Sequence, residues 1–282
     1  MLFNSSTKMA RSLSNLGTYI ILILVSVTTV YPVIWMVSGS LKSESEFYTN
    51  IWGVPKAFAF QNFVNAWIRG GIGQNFINSI IVTLGTVIIV SLLSALAAYA
   101  LAKIDFIGRG VLFFLFMISL MIPHGILAVP TFGVIVKLGL VNTRLSLILV
   151  YAGQSIAFSV FLLQSYFLSI PKEIEEAALI DGCTRIGALF RVILPISGPG
   201  LATVIIFTGL RCWNEFFMAS ILVRTKAIRT LPLGLVNFVQ QYSTDYPQLF
   251  AALTILTLPM ILLFLVGQKQ FISGLTAGSV KE

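Results

Sequence analysis

Arg211 and Glu215 stand four residues apart in a long apolar run. An isolated charge inside a membrane-spanning segment costs at least roughly 2.5 kcal/mol even on insertion scales, so the arginine needs a partner. Glu215, one helical turn on, can neutralise it within the same helix. Alternatively, the planar guanidinium can face outward and hold a carboxylate through two parallel hydrogen bonds. Both pairings stay open. The single histidine, His124, follows Pro123 with no carboxylate or cysteine nearby, so no metal set can form around it. It reads as a helix-packing residue before a pore-facing one. Cys183 and Cys212 have neither metal-ligand spacing nor a setting for a disulfide. No Gly-rich loop ending in Lys-Ser/Thr is present, so the chain itself is not expected to bind ATP. No nucleophile-base constellation lies in the apolar runs, and the chain reads as non-catalytic, with no cofactor or metal of its own.

A second group of polar residues forms an island between two apolar runs. Glu173, Glu175 and Glu176 follow Pro171, which can open a helix whose first turn favours acidic residues. Asp181-Gly182 then ends that helix, because glycine enters the left-handed region at little cost. A second short helix is expected from Thr184 to Val192, leaving at a different angle. The island reads as a helix-turn-helix outside the bilayer.

These groups are carried by a membrane protein. Of 282 residues, 57% are hydrophobic and only 10% charged, and the mean hydropathy is +0.95, far outside the soluble range. Long charge-poor runs predict an all-α fold of six spanning helices, at about 14–38, 76–101, 110–136, 145–169, 198–223 and 247–269. The chain reads as one transmembrane domain over 1–282, with a polar loop at 171–195 and a tail at 270–282. The first run is too long for a signal h-region and has no small-residue cleavage site, so it reads as a retained helix. Pro32, Pro123, Pro130 and Pro259 are expected to kink spans. Cations split almost evenly between the two faces, so the positive-inside rule barely decides orientation. A pI near 9.7 with scattered cations points to anionic lipid and not to nucleic acid.

The spacing Glu176-Ala177-Ala178, then Gly182, then Val192-Ile193-Leu194-Pro195 resembles the cytoplasmic signature loop of permease subunits in binding-protein-dependent ABC importers. The family pattern has isoleucine where Val192 stands, a volume-conserving exchange. Asn62-Phe63 and Phe76-Ile77-Asn78-Ser79-Ile80-Ile81-Val82-Thr83 look like the entry to the second span of carbohydrate-importer permeases. Trp213-Asn214-Glu215-Phe216 resembles an element of their fifth span. Phe271-Ile272-Ser273-Gly274-Leu275-Thr276-Ala277-Gly278-Ser279-Val280-Lys281 looks like the cytoplasmic tail of the second permease of the maltose-type branch. The likeness runs from about residue 62 to the C-terminus.

The resemblance implies an oligosaccharide importer subunit in a bacterial inner membrane, with both termini cytoplasmic. Its implied partners are a second permease, two ATP-binding subunits that carry ATP and magnesium, an external solute-binding protein and the carbohydrate. Glu175, Glu176, Ala177, Ala178, Asp181, Gly182 and Pro195 would couple to the ATPase, with small alanines allowing close approach to a groove. Gly274, Leu275, Thr276 and Gly278 would contact it from the tail. The loop 224–245 would face outside, toward the binding protein. Arg211, Asn214, Glu215, Asn78 and Gln154 are the pathway candidates, beside Asn75, Ser159, Gln164 and Thr208, although each polar group can equally serve helix packing. If Arg211 faces the path, the solute is an acidic oligosaccharide such as a uronate fragment; if it pairs with Glu215, nothing follows about charge. A permease for a peptide or phosphodiester remains an alternative. A secondary transporter is disfavoured by the lack of an acidic relay or evident inverted repeats.

Overall fold

Apolar sequence with few breakers produces long helices, and the chain is built from them. The computed structural model describes the backbone of residues 3–239 and 244–277, and side chains over 15–239 and 244–268. In order, the helices are α1 (Phe3–Ser40), α2 (Glu44–Thr49), α3 (Gln61–Ile68), α4 (Ile72–Lys103), α5 (Arg109–Met121), α6 (Ala128–Lys137), α7 (Arg144–Ser169), α8 (Lys172–Ile180), α9 (Arg185–Ala188), α10 (Leu194–Ile196), α11 (Gly198–Trp213), α12 (Phe217–Leu222), α13 (Leu231–Gly234) and α14 (Tyr246–Ala277). The chain divides into two units, one of residues 1–70 and 237–255, the other of residues 71–236 and 256–282.

In the first unit, α1 carries an exposed apolar surface along most of its length. Its C-terminal end is held by aromatic packing. Trp35 lies edge-on to Phe250, with centroids 5.0 Å apart, and Phe47 stacks on Tyr246 at 5.4 Å. The loop after α1 closes around the buried Lys42, whose ammonium donates to the Asn50 and Ile51 carbonyls at 2.5 and 3.1 Å. Asn62 clamps the same turn by donating to the carbonyls of Ser40 and Lys42, both at 2.8 Å. Burial pushes the Lys42 ammonium below the usual lysine range, and nearby Glu46 partly restores it.

In the second unit, α4 and α7 pack along their length, and α11 packs on both. The buried face of α4 runs through Asn75, Asn78, Val82, Thr86, Val90, Ser94 and Ala98. That of α7 repeats every four residues, through Leu147, Tyr151, Ser155, Ser159, Leu163 and Phe167. Small and hydroxyl side chains let backbones approach where lipid offers no hydrophobic drive. Their hydroxyls turn back on their own helices, as when Thr86 donates to Val82 O at 2.8 Å and Ser159 to Ser155 O at 2.9 Å.

The spans differ from expectation in two places. Among the described residues, four helices are individually long and apolar enough to cross a membrane, and a fifth span arises if the bent pair Arg185–Ile196 and Gly198–Trp213 is counted as one. The continuous third span expected at 110–136 is broken into α5 and α6. Pro123 forces Ile122 into an extended conformation and withdraws a backbone donor, and the chain turns through Ile126 N to Pro123 O and Leu127 N to His124 O, both 3.1 Å. The expected fifth span divides at residues 214–216 into α11 and α12. Pro32 and Pro259, in contrast, sit inside unbroken helices.

Candidate functional site

The polar island folds as two helices around a glycine turn. Gly182 has φ +86°. Cys183 N bonds to Ala178 O at 3.0 Å and Gly182 N to Leu179 O at 3.1 Å, the paired bonds of a Schellman cap. Thr184 starts the next helix by accepting from Gly187 N at 3.1 Å. That helix widens into a π turn over Leu189–Ile193, in which Leu194 N reaches Leu189 O. Pro195, which lacks an N–H and whose ring would clash with the carbonyl one α-turn back, accounts for the widening. Helix Arg185–Ile196 then meets α11 at 83°.

The helical period of α8 sorts the expected coupling residues onto two faces. Glu176 and Ala177 are exposed, as are Asp181 and Pro195. Beside them Ile180 is 85% exposed and, across the turn, Ile186 63%. Glu175 and Ala178 are buried, so they do not present themselves outward as expected. The Glu175 carboxylate accepts a short hydrogen bond from the Tyr99 hydroxyl on α4. Lys103 adds a second tie by donating to Ile170 O at 2.6 Å. Of the expected tail contacts, Gly278 lies outside the described residues, as do the side chains of Leu275 and Thr276; Gly274 falls within the backbone of α14.

The i, i+4 ion pair between Arg211 and Glu215 does not form. Glu215 accepts the Tyr151 hydroxyl of α7 and the backbone N–H groups of Met218 and Ala219, at 2.6 and 3.1 Å. Its charge thus caps the N-terminus of α12, where the helix dipole favours it, directly after the break that separates the two helices. Arg211 donates instead to Gln154 O on α7, at 3.1 Å. It lines a cavity of about 540 Å³ with His124, Ser155, Phe158, Phe207 and Thr208. A second cavity, of about 340 Å³, shares Leu120 and His124 with the first and includes Ser119, Thr131 and Gln154. His124 therefore stands, half-buried, at the α5–α6 break and lines both concavities.

The other pathway candidates are separated from this surface. Asn78 is fully buried. It donates to the carbonyls of Ala227 and Arg229, both at 2.9 Å, and accepts from Arg144 Nε at 2.9 Å and Gln74 Nε2 at 3.2 Å. Its polar atoms are consumed in anchoring the connection after α12. Asn214 is exposed and donates back to Leu210 O at 2.8 Å. The same connection is held by Asn142, whose φ of 62° aims its side chain so that Arg224 N and Thr225 N donate to it, each at 2.9 Å. Trp213 is buried, donates to Leu256 O at 3.0 Å and meets Phe76 edge-on. Tyr99, Tyr151 and Asn142 had no signal in the local sequence pattern; only their partners, remote in sequence, reveal them.

Comparison with known proteins identifies the family and the fold. Residues 90–276 match the model of the family described as binding-protein-dependent transport system inner membrane component. The chain is 42% identical over 265 residues to the probable ABC transporter permease protein YurM of Bacillus subtilis, covering 94% of this chain and 88% of that one. It is 36% identical to the diacetylchitobiose uptake system permease protein NgcG of Streptomyces coelicolor, with the same coverage of 94% and 88%. The fold matches a bacterial ABC transporter involved in the import of the acidic polysaccharide alginate, with a TM-score of 0.84 at 24% identity, covering 93% of this chain and 98% of that one. The chain belongs to the family of inner-membrane components of binding-protein-dependent transport systems.

Proposed function

We propose that the chain is one of two permease subunits of an ATP-driven oligosaccharide importer, and that α8 to α9 is where it takes up work from an ATPase. The observation carrying the coupling role is the exposed face of Glu176, Ala177, Ile180 and Ile186 on an otherwise polar loop. Branched aliphatic residues this exposed outside a span need a partner surface. Ala177 permits close approach, and Glu176 offers a carboxylate to a basic groove. The sugar class is supported by the NgcG relative, named for diacetylchitobiose uptake.

In this reading ATP and Mg²⁺ are held by two ATP-binding subunits, the second permease supplies the other half of the path, and a solute-binding protein docks outside. With the Glu176 loop taken as cytoplasmic and α5 and α6 counted together as the third of six spans, both termini are inside and the connection from Arg224 is outside. The tail around Gly274 and Gly278 reaches the ATPase interface. The test is the assembled complex in proteoliposomes, with Gly182→Val in this chain. Its β-branched side chain opposes φ +86°. ATP hydrolysis is expected to lose its stimulation by loaded binding protein while the subunits still co-purify. Wild-type sugar uptake by this variant would overturn the coupling assignment.

A further inference from the structure

Arg211 carries its charge in the apolar stretch of α11 without a carboxylate partner, since Glu215 is committed to Tyr151 and to the start of α12. A guanidinium offers five N–H donors, and the bond to Gln154 O uses one of them. The cavity it lines contains no acidic side chain. Ser155, 4% exposed, lines the same cavity, and its hydroxyl has no hydrogen-bond partner among the described residues. A buried hydroxyl left unpaired costs about 1–3 kcal/mol, so its presence calls for something that pairs with it. The remaining wall is aromatic: Phe158 and Phe207 stand 4.9 Å apart, tilted by 41°. Their ring faces are negative and suit the positive C–H edge of a sugar ring. At about 540 Å³ the cavity lies within the range of small-molecule sites, and the adjoining one beyond His124 gives room for a further sugar unit.

We infer that Arg211, His124, Ser155 and the Phe158–Phe207 pair form a subsite for a saccharide bearing an anionic group, a carboxylate or sulfonate, with the anion on the guanidinium and the ring on the aromatic wall. This rests on the importer reading and deepens it, because it names the charge of the solute. His124 lines the same cavity and can donate a ring N–H to the anion. Thr208 offers a hydroxyl for neutral sugar oxygens. A guanidinium with no acidic side chain in its cavity wall is the physical reason for selectivity: a neutral sugar leaves it unpaired, and an acidic one does not.

The probes are trigalacturonate and the same trisaccharide with its carboxyl groups reduced to hydroxymethyl. Each is titrated directly against the complete membrane complex in phosphatidylcholine nanodiscs, without binding protein, so that binding-protein specificity does not enter. The wild type is expected to bind the acidic probe about tenfold or more tightly than the neutral one, the value of one charge-assisted fork. Arg211→Gln should bring that ratio close to one, and Arg211→Lys should keep part of it. Phe207→Leu should weaken both probes together and leave the ratio in place. The Lys and Leu variants keep the test decisive should the Gln variant fail to assemble. An absent preference in the wild type, or a ratio unchanged in Arg211→Gln or Arg211→Lys, overturns the subsite. A preference abolished by adding phosphatidylglycerol to the nanodiscs assigns the seat to a lipid headgroup and overturns it too. Uptake of neutral oligosaccharides by full proteoliposomes separates the two readings: uptake without acidic preference sinks the subsite alone, whereas uptake of no saccharide at all sinks the importer reading with it.

Discussion

Replacing Asn78 by alanine removes four hydrogen bonds at once, two to carbonyls, one from Arg144 and one from Gln74. The average of about 0.6 kcal/mol per side-chain bond between membrane helices sets a floor of about 2 kcal/mol. The carbonyls of the exposed Ala227 and half-buried Arg229 can be partly rehydrated, so the penalty of roughly 1–3 kcal/mol for each unpaired carbonyl is an upper limit and the ceiling is about 6 kcal/mol. The cost falls on the connection after α12, because the released carbonyls belong to Ala227 and Arg229. Asn78→Asp should do no better, since it keeps an acceptor for Arg144 but turns a second oxygen toward those carbonyls. Thermal unfolding of the purified complex, read beside limited proteolysis of residues 224–231, should show loss of stability and earlier cleavage in both variants. Substrate selectivity should be unchanged. Wild-type stability combined with an altered preference among sugars would mean that Asn78 is a pathway residue and that its network contributes little.

Other outcomes follow from the same geometry. Tyr99→Phe and Glu175→Gln should each loosen α8 by about 1 kcal/mol, the net value of one hydrogen bond, seen as a lower melting temperature with the ATPase still bound. Glu176→Lys should leave melting unchanged and weaken co-purification of the ATPase. Lys42→Met should destabilise the loop after α1 by leaving the Asn50 carbonyl unpaired, at about 1–3 kcal/mol, while Ile51 O keeps the Trp35 indole N–H, measured by thermal unfolding. Because burial lowers the Lys42 pKa, its protonated form is penalised in the folded loop below the depressed value, and that penalty should lessen as pH rises through it toward the usual lysine pKa. With Cys183 replaced by serine, a cysteine at the exposed Lys226 should react with an impermeant thiol reagent from outside intact cells. Reaction only after permeabilisation would reverse the orientation.

The glycine turn was legible in the sequence because its cause is local: a helix, then Asp181-Gly182, then a capping Thr184. The long helices were legible from hydropathy for the same reason. The break at His124 was not, since a proline announces a weakened helix without saying whether its neighbours restore it; Pro32 and Pro259 pass through intact helices. The two faces of α8 were available in principle. Glu175 and Ala178 are three residues apart on one side, and Glu176, Ala177 and Ile180 fall on the other, but motif spacing alone treats them as one block. The fate of Glu215 was beyond local reading. The i, i+4 rule offers Arg211, whereas its hydroxyl partner, Tyr151, lies 64 residues away on another helix.

That commitment of Glu215 also bears on how a push on the loop reaches the cavity. α8 is tied to α4 by Tyr99, and Lys103 of α4 holds Ile170 at the end of α7, just before α8, while the second loop helix continues through the Pro195 turn into α11. α4 and α11 both pack on α7, which supplies Tyr151 to Glu215, the Gln154 carbonyl to Arg211 and Ser155 to the cavity wall. Under the proposed coupling role, a displacement of α8 and α9 by an ATPase would act on α4 and α11 together, and shear of α11 along α7 would move Arg211 relative to Ser155 and His124. Packed helices slide between discrete arrangements and do not deform continuously. The Arg211 bond to the α7 carbonyl is a contact that such a slide must break or exchange, and the guanidinium so released is the group that would bind or relinquish an anion.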